Sequence, residues 1–203
     1  MTVTERRSRL VDAAIAVMAR DGVPQATTRA IVAEAGMPVG VFHYCFRSKD
    51  ELFHHVMRTV SERSFAAIGN VLTQSSDPVE IIRLAVRAYW ERVVEEPEQR
   101  QLAFELTQYA LRHSSEKAVA ATQFAGYVRN MRDLLQALAD IGGFTWRSSV
   151  DVEARMVLSM IQGITFQWLV DREDAVAQAL FDELADHLIW RAGLSPSSLS
   201  TRP

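Results

Sequence analysis

Apolar residues recur along this chain at the three- and four-residue spacing of helices, not the alternation of strands. Leu10, Val11, Ala14, Ile15, Val17 and Met18 predict a helix over about 4–20, stopped at Gly22. Leu52, Phe53, Val56, Val60, Phe65, Ala67, Ile68 and Leu72 predict a long helix from Ser48 onward, opened by the capping box Ser48-Lys49-Asp50-Glu51. A polar loop follows over 73–77. Asp77-Pro78-Val79-Glu80 then starts a helix with the buried stripe Val79, Ile82, Val86, Tyr89, Trp90 and Val93. Helices are expected from about 98 to 113 and, after Ser114-Ser115, from about 116 to 141, where Gly142-Gly143 ends the run. Two more close the chain. The first carries Val150, Ala154, Val157, Ile161, Ile164 and Trp168, and a second set, Met156, Met160, Gly163, Gln167 and Val170, at the same spacing. Being apolar on more than one face, it is expected to be covered on more than one face, with another subunit as the cover. The last, from about 174 to 192, offers Val176, Leu180, Leu184 and Leu188. Residues 195–203 read as a frayed tail.

The most informative stretch is Ala26–Leu52. Thr27 and Thr28 can cap a short helix whose apolar stripe is Ile31, Val32 and Ala35. Gly36 can close it in the left-handed conformation. Met37 is an apolar plug. Pro38 can open a second short helix through Val39, Gly40, Val41, Phe42, His43 and Tyr44. Helix, glycine-containing turn and short helix is the pattern that sets a recognition helix into the DNA major groove.

This stretch resembles the N-terminal domain of the TetR (tetracycline-repressor) family. The matching positions are Thr27-Thr28, Ile31, Ala35-Gly36, Gly40, Phe42, Tyr44, Phe46, Ser48-Lys49 and Leu52. The family usually has polar or basic residues at Pro38 and Val39, a tyrosine at His43 and an aromatic at Cys45, so the resemblance implies altered base reading on a retained scaffold. The fold expected is all-α: a three-helix DNA-binding head over residues 1–48 and a larger helical ligand-binding and dimerisation body over 49–203, about nine helices in all.

Within the head, Arg6 and Arg7 are expected to form a basic arm on the DNA. Arg29 and Lys49, in the first turns of their helices, are placed for phosphate, with Thr28 as a cap first and a phosphate ligand second. Pro38, Val39, Val41, His43 and Tyr44 would face the groove, the valines against thymine methyl groups and Tyr44 toward phosphate. Phe42 and Phe46 read as core plugs.

For the body, the resemblance implies a pocket for a small effector. Trp90, Phe104, Tyr109, Phe124, Tyr127, Met131 and Phe166 are its apolar candidates; Gln108, Gln162, His113 and Thr165 are its polar anchors. It also implies that the last two helices pair with their twins in a four-helix bundle, for which Val157, Ile161, Ile164, Trp168, Leu180, Leu184 and Leu188 are the candidates. Such a homodimer would hold two recognition helices about 34–36 Å apart on a palindromic operator. A coupling of about 1–3 kcal/mol from the effector, carried by the helix that begins at Ser48, would change affinity about 5–150-fold.

Composition narrows the alternatives. Net charge is −3, but residues 1–50 carry +2 and residues 51–203 carry −5, the right bias for a DNA-reading head on an acidic body. No apolar run reaches the ~20 residues of a membrane span, the N-terminus lacks a secretory signal, and a cytoplasmic location is expected. A single cysteine, Cys45, excludes a disulfide framework and a CxxC metal site. Glu51-x-x-His54 has the spacing of a di-iron motif but no second copy. No phosphate-cradling loop, nucleophile elbow or dinucleotide fingerprint occurs. No cofactor, metal or enzymatic activity is therefore expected. The runner-up reading is a helical dimer of the same fold that binds a protein or small molecule without reading DNA.

Overall fold

The computed structural model describes residues 1–69, 75–112 and 117–195. The loop at 73–74, Leu72, His113, Ser114-Ser115 and the tail from 196 lie outside the described residues, as do the side chains of Phe65, Ala67 and Ile68. Nine α-helices are described: α1 (Val3–Asp21), α2 (Thr28–Glu34), α3 (Val39–Cys45), α4 (Lys49–Gly69), α5 (Pro78–Glu95), α6 (Pro97–Arg112), α7 (Lys117–Gly142), α8 (Val150–Asp171) and α9 (Asp174–Arg191). No strand occurs among the described residues, and none of their helices is long and apolar enough to cross a membrane.

Local chemistry sets the helix ends. Thr2 and Glu5 form a reciprocal capping box: the Glu5 N–H donates to Thr2 Oγ1 at 3.2 Å, and the Thr2 N–H to Glu5 Oε2 at 2.6 Å. Helix α1 therefore starts earlier than its apolar stripe suggests, and Arg6 and Arg7 lie inside it, not on an arm. Thr27 caps α2 by accepting from the Ala30 N–H at 3.2 Å. Thr28 is the first helical residue and does not cap. Gly36, at φ +63°, closes α2 with two bonds, Met37 N–H to Val32 O at 2.9 Å and Gly36 N–H to Ala33 O at 3.0 Å. That pair is a Schellman motif, and its left-handed residue costs a glycine no Cβ clash. Pro38 is the N-cap of α3, one residue before the helical position expected of it. Pro97 follows the end of α5 at Glu95 and is the first residue of α6, where its missing N–H is not needed.

The chain divides into two compact units. The first comprises residues 1–64 and 96–125. Its core joins Leu10, Ala14 and Val17 of α1, Ile31 of α2 and Phe42 and Phe46 around α3 to Leu52, Phe53 and Val56 of α4 and Leu102, Leu106 and Ala110 of α6. Phe42 and Phe46 thus share one core with residues of α4 and α6 that lie beyond residue 48. Leu102, Leu106 and Ala110 of α6, spaced four apart, complete the enclosure, with Tyr109 against Phe53 at 5.1 Å between ring centroids.

The second unit comprises residues 65–95 and 126–203. Helices α5, α7, α8 and α9 enclose Trp90, Leu135, Leu158, Trp168 and Phe181. The Trp90 ring meets Trp168 edge-on at 5.3 Å and lies 5.3 Å from Phe181. Trp168 Nε1 donates to Asp174 Oδ1 at 2.7 Å, and half-buried Trp146 Nε1 to Leu135 O at 3.0 Å. A clasp ties the start of α8 to the end of α9. Glu153 is fully buried and accepts from Arg191 Nε at 3.0 and 3.2 Å, from Arg191 Nη2, and from Ser148 Oγ at 2.7 Å. Burial raises the Glu153 pKa, but the bonds from Arg191 and Ser148 outweigh it and hold the carboxyl below its usual range.

Candidate nucleic-acid interface and effector cavity

Helix α3 has two unlike sides. Phe42 and Cys45 point into the head core, and Phe46 caps the helix from within that core. On the other side Val39 is 47 % exposed, Tyr44 is 65 % exposed, and Pro38, Gly40 and His43 are exposed. Val41 is half-buried against the core, so it does not share the outward face assigned to it above. Arg29 is exposed in the first turn of α2, Thr28 is half-buried beside it, and Lys49 is half-buried at the first residue of α4. Because Thr27 does the capping, the Thr28 hydroxyl has no capping bond to give up on meeting a phosphate.

Arg7 is placed differently from the expectation. Its guanidinium donates to Glu51 Oε1 at 2.7 Å and stands over the Phe46 ring, 4.7 Å from the centroid. Glu51 Oε2 in turn accepts from the Arg47 N–H at 2.8 Å. Glu51 therefore pins the link between α3 and α4, while Ser48 Oγ accepts the Glu51 N–H at 3.1 Å as the cap of α4. The Arg47 N–H and the Arg7 guanidinium together hold the Glu51 carboxyl below its usual range. Arg7 fixes the angle of the recognition helix, and Arg6, also half-buried, sits in the same first turns. Sequence reasoning missed Arg47, which is exposed directly after α3. Its signal was a basic residue bordering the recognition helix.

The second unit holds an apolar cavity where its four helices meet. Ile82, Val86 and Tyr89 of α5 face Met131, Leu134 and Leu138 of α7, with Val157 and Ile161 of α8 and Phe181, Leu184 and Leu188 of α9 closing it. Of the residues proposed for an effector, Met131 alone lines this cavity. Trp90 is one layer behind it against Phe181, Tyr127 is half-buried against the same core, Gln162 is half-buried and Phe166 is exposed. Phe104, Gln108, Tyr109 and Phe124 belong to the first unit: Tyr109 packs on Phe53, Phe104 is half-buried, and Gln108 and Phe124 are exposed. Thr165 is buried with its hydroxyl 3.4 Å from that of Tyr89.

The residues read as a subunit interface are largely inside the subunit. Val157, Ile161, Ile164, Trp168, Leu184 and Leu188 are buried in the second core, and Leu180 alone of the seven is exposed. They form the stripe that α8 and α9 turn toward α5 and α7. Of the second set on α8, Gly163, Gln167 and Val170 (73 % exposed) are exposed, whereas Met156 and Met160 are half-buried; the outward face of α8 also carries Val152 and Phe166 (55 % exposed), and that of α9 carries Val176, Leu180 and Trp190. Periodicity found the stripe that faces the core but assigned it to a partner, and it did not place Val152 or Phe166 on the outward face.

A helix-turn-helix whose outward face is framed by basic residues, on a chain with a separate helical core, is the build of a DNA-binding regulator. Residues 10–56 match the profile of the bacterial regulatory proteins of the tetR family, and residues 78–190 match the C-terminal profile of BetI-type transcriptional repressors. The chain is 28 % identical over 198 residues to the HTH-type nicotine-responsive transcriptional repressor HdnoR of Paenarthrobacter nicotinovorans, covering 96 % of this chain and 99 % of that one. Among solved structures it resembles the multidrug binding protein EbrR complexed with imidazole, at 27 % identity and TM-score 0.65 over 88 % of this chain and 94 % of the other. A TetR-family regulator of Mesorhizobium loti shares the fold at TM-score 0.77 and 16 % identity, over 94 % of this chain and 98 % of the other. The chain belongs to the TetR family, and it is a transcriptional regulator.

Proposed function

We propose that this protein is a homodimeric repressor that binds a palindromic operator through α3 and is released by a small apolar or aromatic effector held in the second unit. The observation that carries the DNA reading is the outward face of α3. Val39, His43 and Tyr44 stand clear of the core with Arg29 and Lys49 beside them, so base edges and phosphates meet an apolar contact, hydrogen-bonding groups and positive charge at once. The dimer is built through the outward stripes of α8 and α9. Phe166, Val170, Val176 and Leu180 are large apolar side chains left exposed on these two helices, and apolar surface of this kind is what a second copy would cover. The two named relatives, one responsive to nicotine and one a multidrug binder, support an effector role for the cavity. The protein works without catalysis, in the cytoplasm where its operator is.

The test is a salt titration of binding to random duplex, followed by selection of an operator from a random pool. The expected result is affinity that falls linearly on a log–log plot with salt, and an enriched sequence with two-fold symmetry. Absence of any salt-dependent binding would favour a regulator-fold dimer that no longer reads DNA, the reading to which the unusual Pro38, Val39 and His43 point.

A further inference from the structure

Thirteen side chains line the cavity of the second unit, and none is charged. The carboxylates on its four wall helices give a cation no partner. Glu80, Glu91, Glu95, Asp133, Asp140, Asp151, Asp171, Asp174, Asp182, Glu183 and Asp186 are all exposed, and the buried Glu153 is already bonded to Arg191 and Ser148. A cation entering this space would shed its hydration shell and meet only aliphatic and aromatic carbon, which is strongly unfavourable. The one polar group on the lining is the Tyr89 hydroxyl, 3.4 Å from the buried Thr165 hydroxyl. A phenolic O–H rotates, so it can be re-aimed from a neighbour to an acceptor on a ligand. The free volume, about 50 Å³, is below the roughly 150 Å³ of cavities that take up benzene, so a ring enters only by moving the walls. Met131, unbranched and flexible, is the wall residue that yields most readily.

From these observations we infer that the effector is an uncharged, mainly apolar molecule of one or two rings with a single hydrogen-bond acceptor addressed by Tyr89. This rests on the effector-responsive reading above. A cationic ligand would need a carboxylate or comparable partner on the lining, and this lining has none. The effector acts by swelling the core, pushing α5 and α7 away from α8 and α9.

The test uses the full-length protein and three probes of one size: quinoline, neutral at pH 7.5 with a ring-nitrogen acceptor; naphthalene, with no acceptor; and N-methylquinolinium, permanently cationic. Binding is read without DNA, by calorimetry and by tryptophan emission, to which Trp90 beside the wall residue Phe181 contributes. Quinoline and naphthalene should bind, with N-methylquinolinium weaker by more than about 100-fold. Tyr89→Phe should weaken quinoline about fivefold and leave naphthalene unchanged. If that variant fails to fold, the three-probe series on the unmodified protein still decides. Equal binding of the cation overturns the inference, and so does absence of binding by both neutral probes, which would make the cavity a packing void only. Release of bound duplex is measured separately. Quinoline that binds without releasing DNA overturns the effector reading and leaves the neutral preference of the cavity supported.

Discussion

The outward faces of α3 and of α8–α9 are made by the same device and end in opposite chemistry. Each helix buries one side: Phe42 and Cys45 in α3, Val157, Ile161 and Trp168 in α8. What the other side carries is then free to differ. On α3 it is a mixed face of Pro38, Val39, Gly40, His43 and Tyr44, edged by Arg29, Arg47 and Lys49. On α8 and α9 it is Val152, Phe166, Val170, Val176, Leu180 and Trp190. A polyanion with hydrogen-bonding base edges is matched by the first surface, and a second apolar surface of the same shape by the second. The composition of the uncovered face, more than the helix that bears it, identifies the chemistry of the partner.

The cores behind these faces should respond most strongly. Phe42→Ala in the first unit and Phe181→Ala in the second should each cost about 3–5 kcal/mol in denaturant unfolding, since both are fully buried. Only the first should also abolish DNA binding at temperatures where the protein stays folded.

Next comes the contrast between the two stripes of α8. Phe166→Glu combined with Val170→Glu should leave the helical signal intact and turn dimer into monomer in sedimentation. The dissociation constant should rise at least about 100-fold, near 3 kcal/mol. Ile161→Glu, on the inward stripe, should unfold the second unit. A dimer that survives the double substitution would end the assignment of the outward stripe to a partner.

The clasp sharpens the comparison further. Arg191→Met strands the Glu153 carboxylate in the core and should cost about 3 kcal/mol, most of it regained when Glu153→Gln is added. Its pH dependence has a fixed sign. The Glu153 pKa lies below the usual carboxylate value of 4.5, so its stabilisation is complete above that value and is lost as pH falls through the folded-state pKa. Arg191→Met should flatten the acid limb of a melting-temperature profile. Glu51 has the same sign in the first unit, so Arg7→Ala should flatten the acid limb there and loosen the recognition helix.

The smallest effects belong to single exposed contacts on DNA. Lys49→Ala should weaken binding about equally on all sequences and lower the salt slope by roughly one. Tyr44→Ala should cost about 1 kcal/mol, and His43→Ala should relax preference at one base pair if its imidazole reads an edge. These are measured by anisotropy across operator variants.

Helix placement was largely legible, because capping residues, glycines and three-to-four spacing act within a few residues of chain. Thr27, Gly36, Ser48 and Asp77 all stand at helix ends. At the start of α1 Thr2 and Thr4 are both possible caps and Thr2 is the one used, whereas α3 starts at Val39 behind Pro38 with no side-chain cap. The outward face of α3 was legible in part: Tyr44 and His43 are exposed, whereas Val41 turns inward, a matter of where the axis points.

Chain order alone thus determined the all-helical class, the helix-turn-helix and one long apolar stripe on α8. Tertiary structure decided that this stripe is core, that α6 packs into the same core as α1–α4, that Arg7 serves Glu51 and Phe46, and where a cavity remains. The reason is physical. Caps and periodicity depend on neighbours along the chain, while the burial of a given face depends on helices that arrive from dozens of residues away.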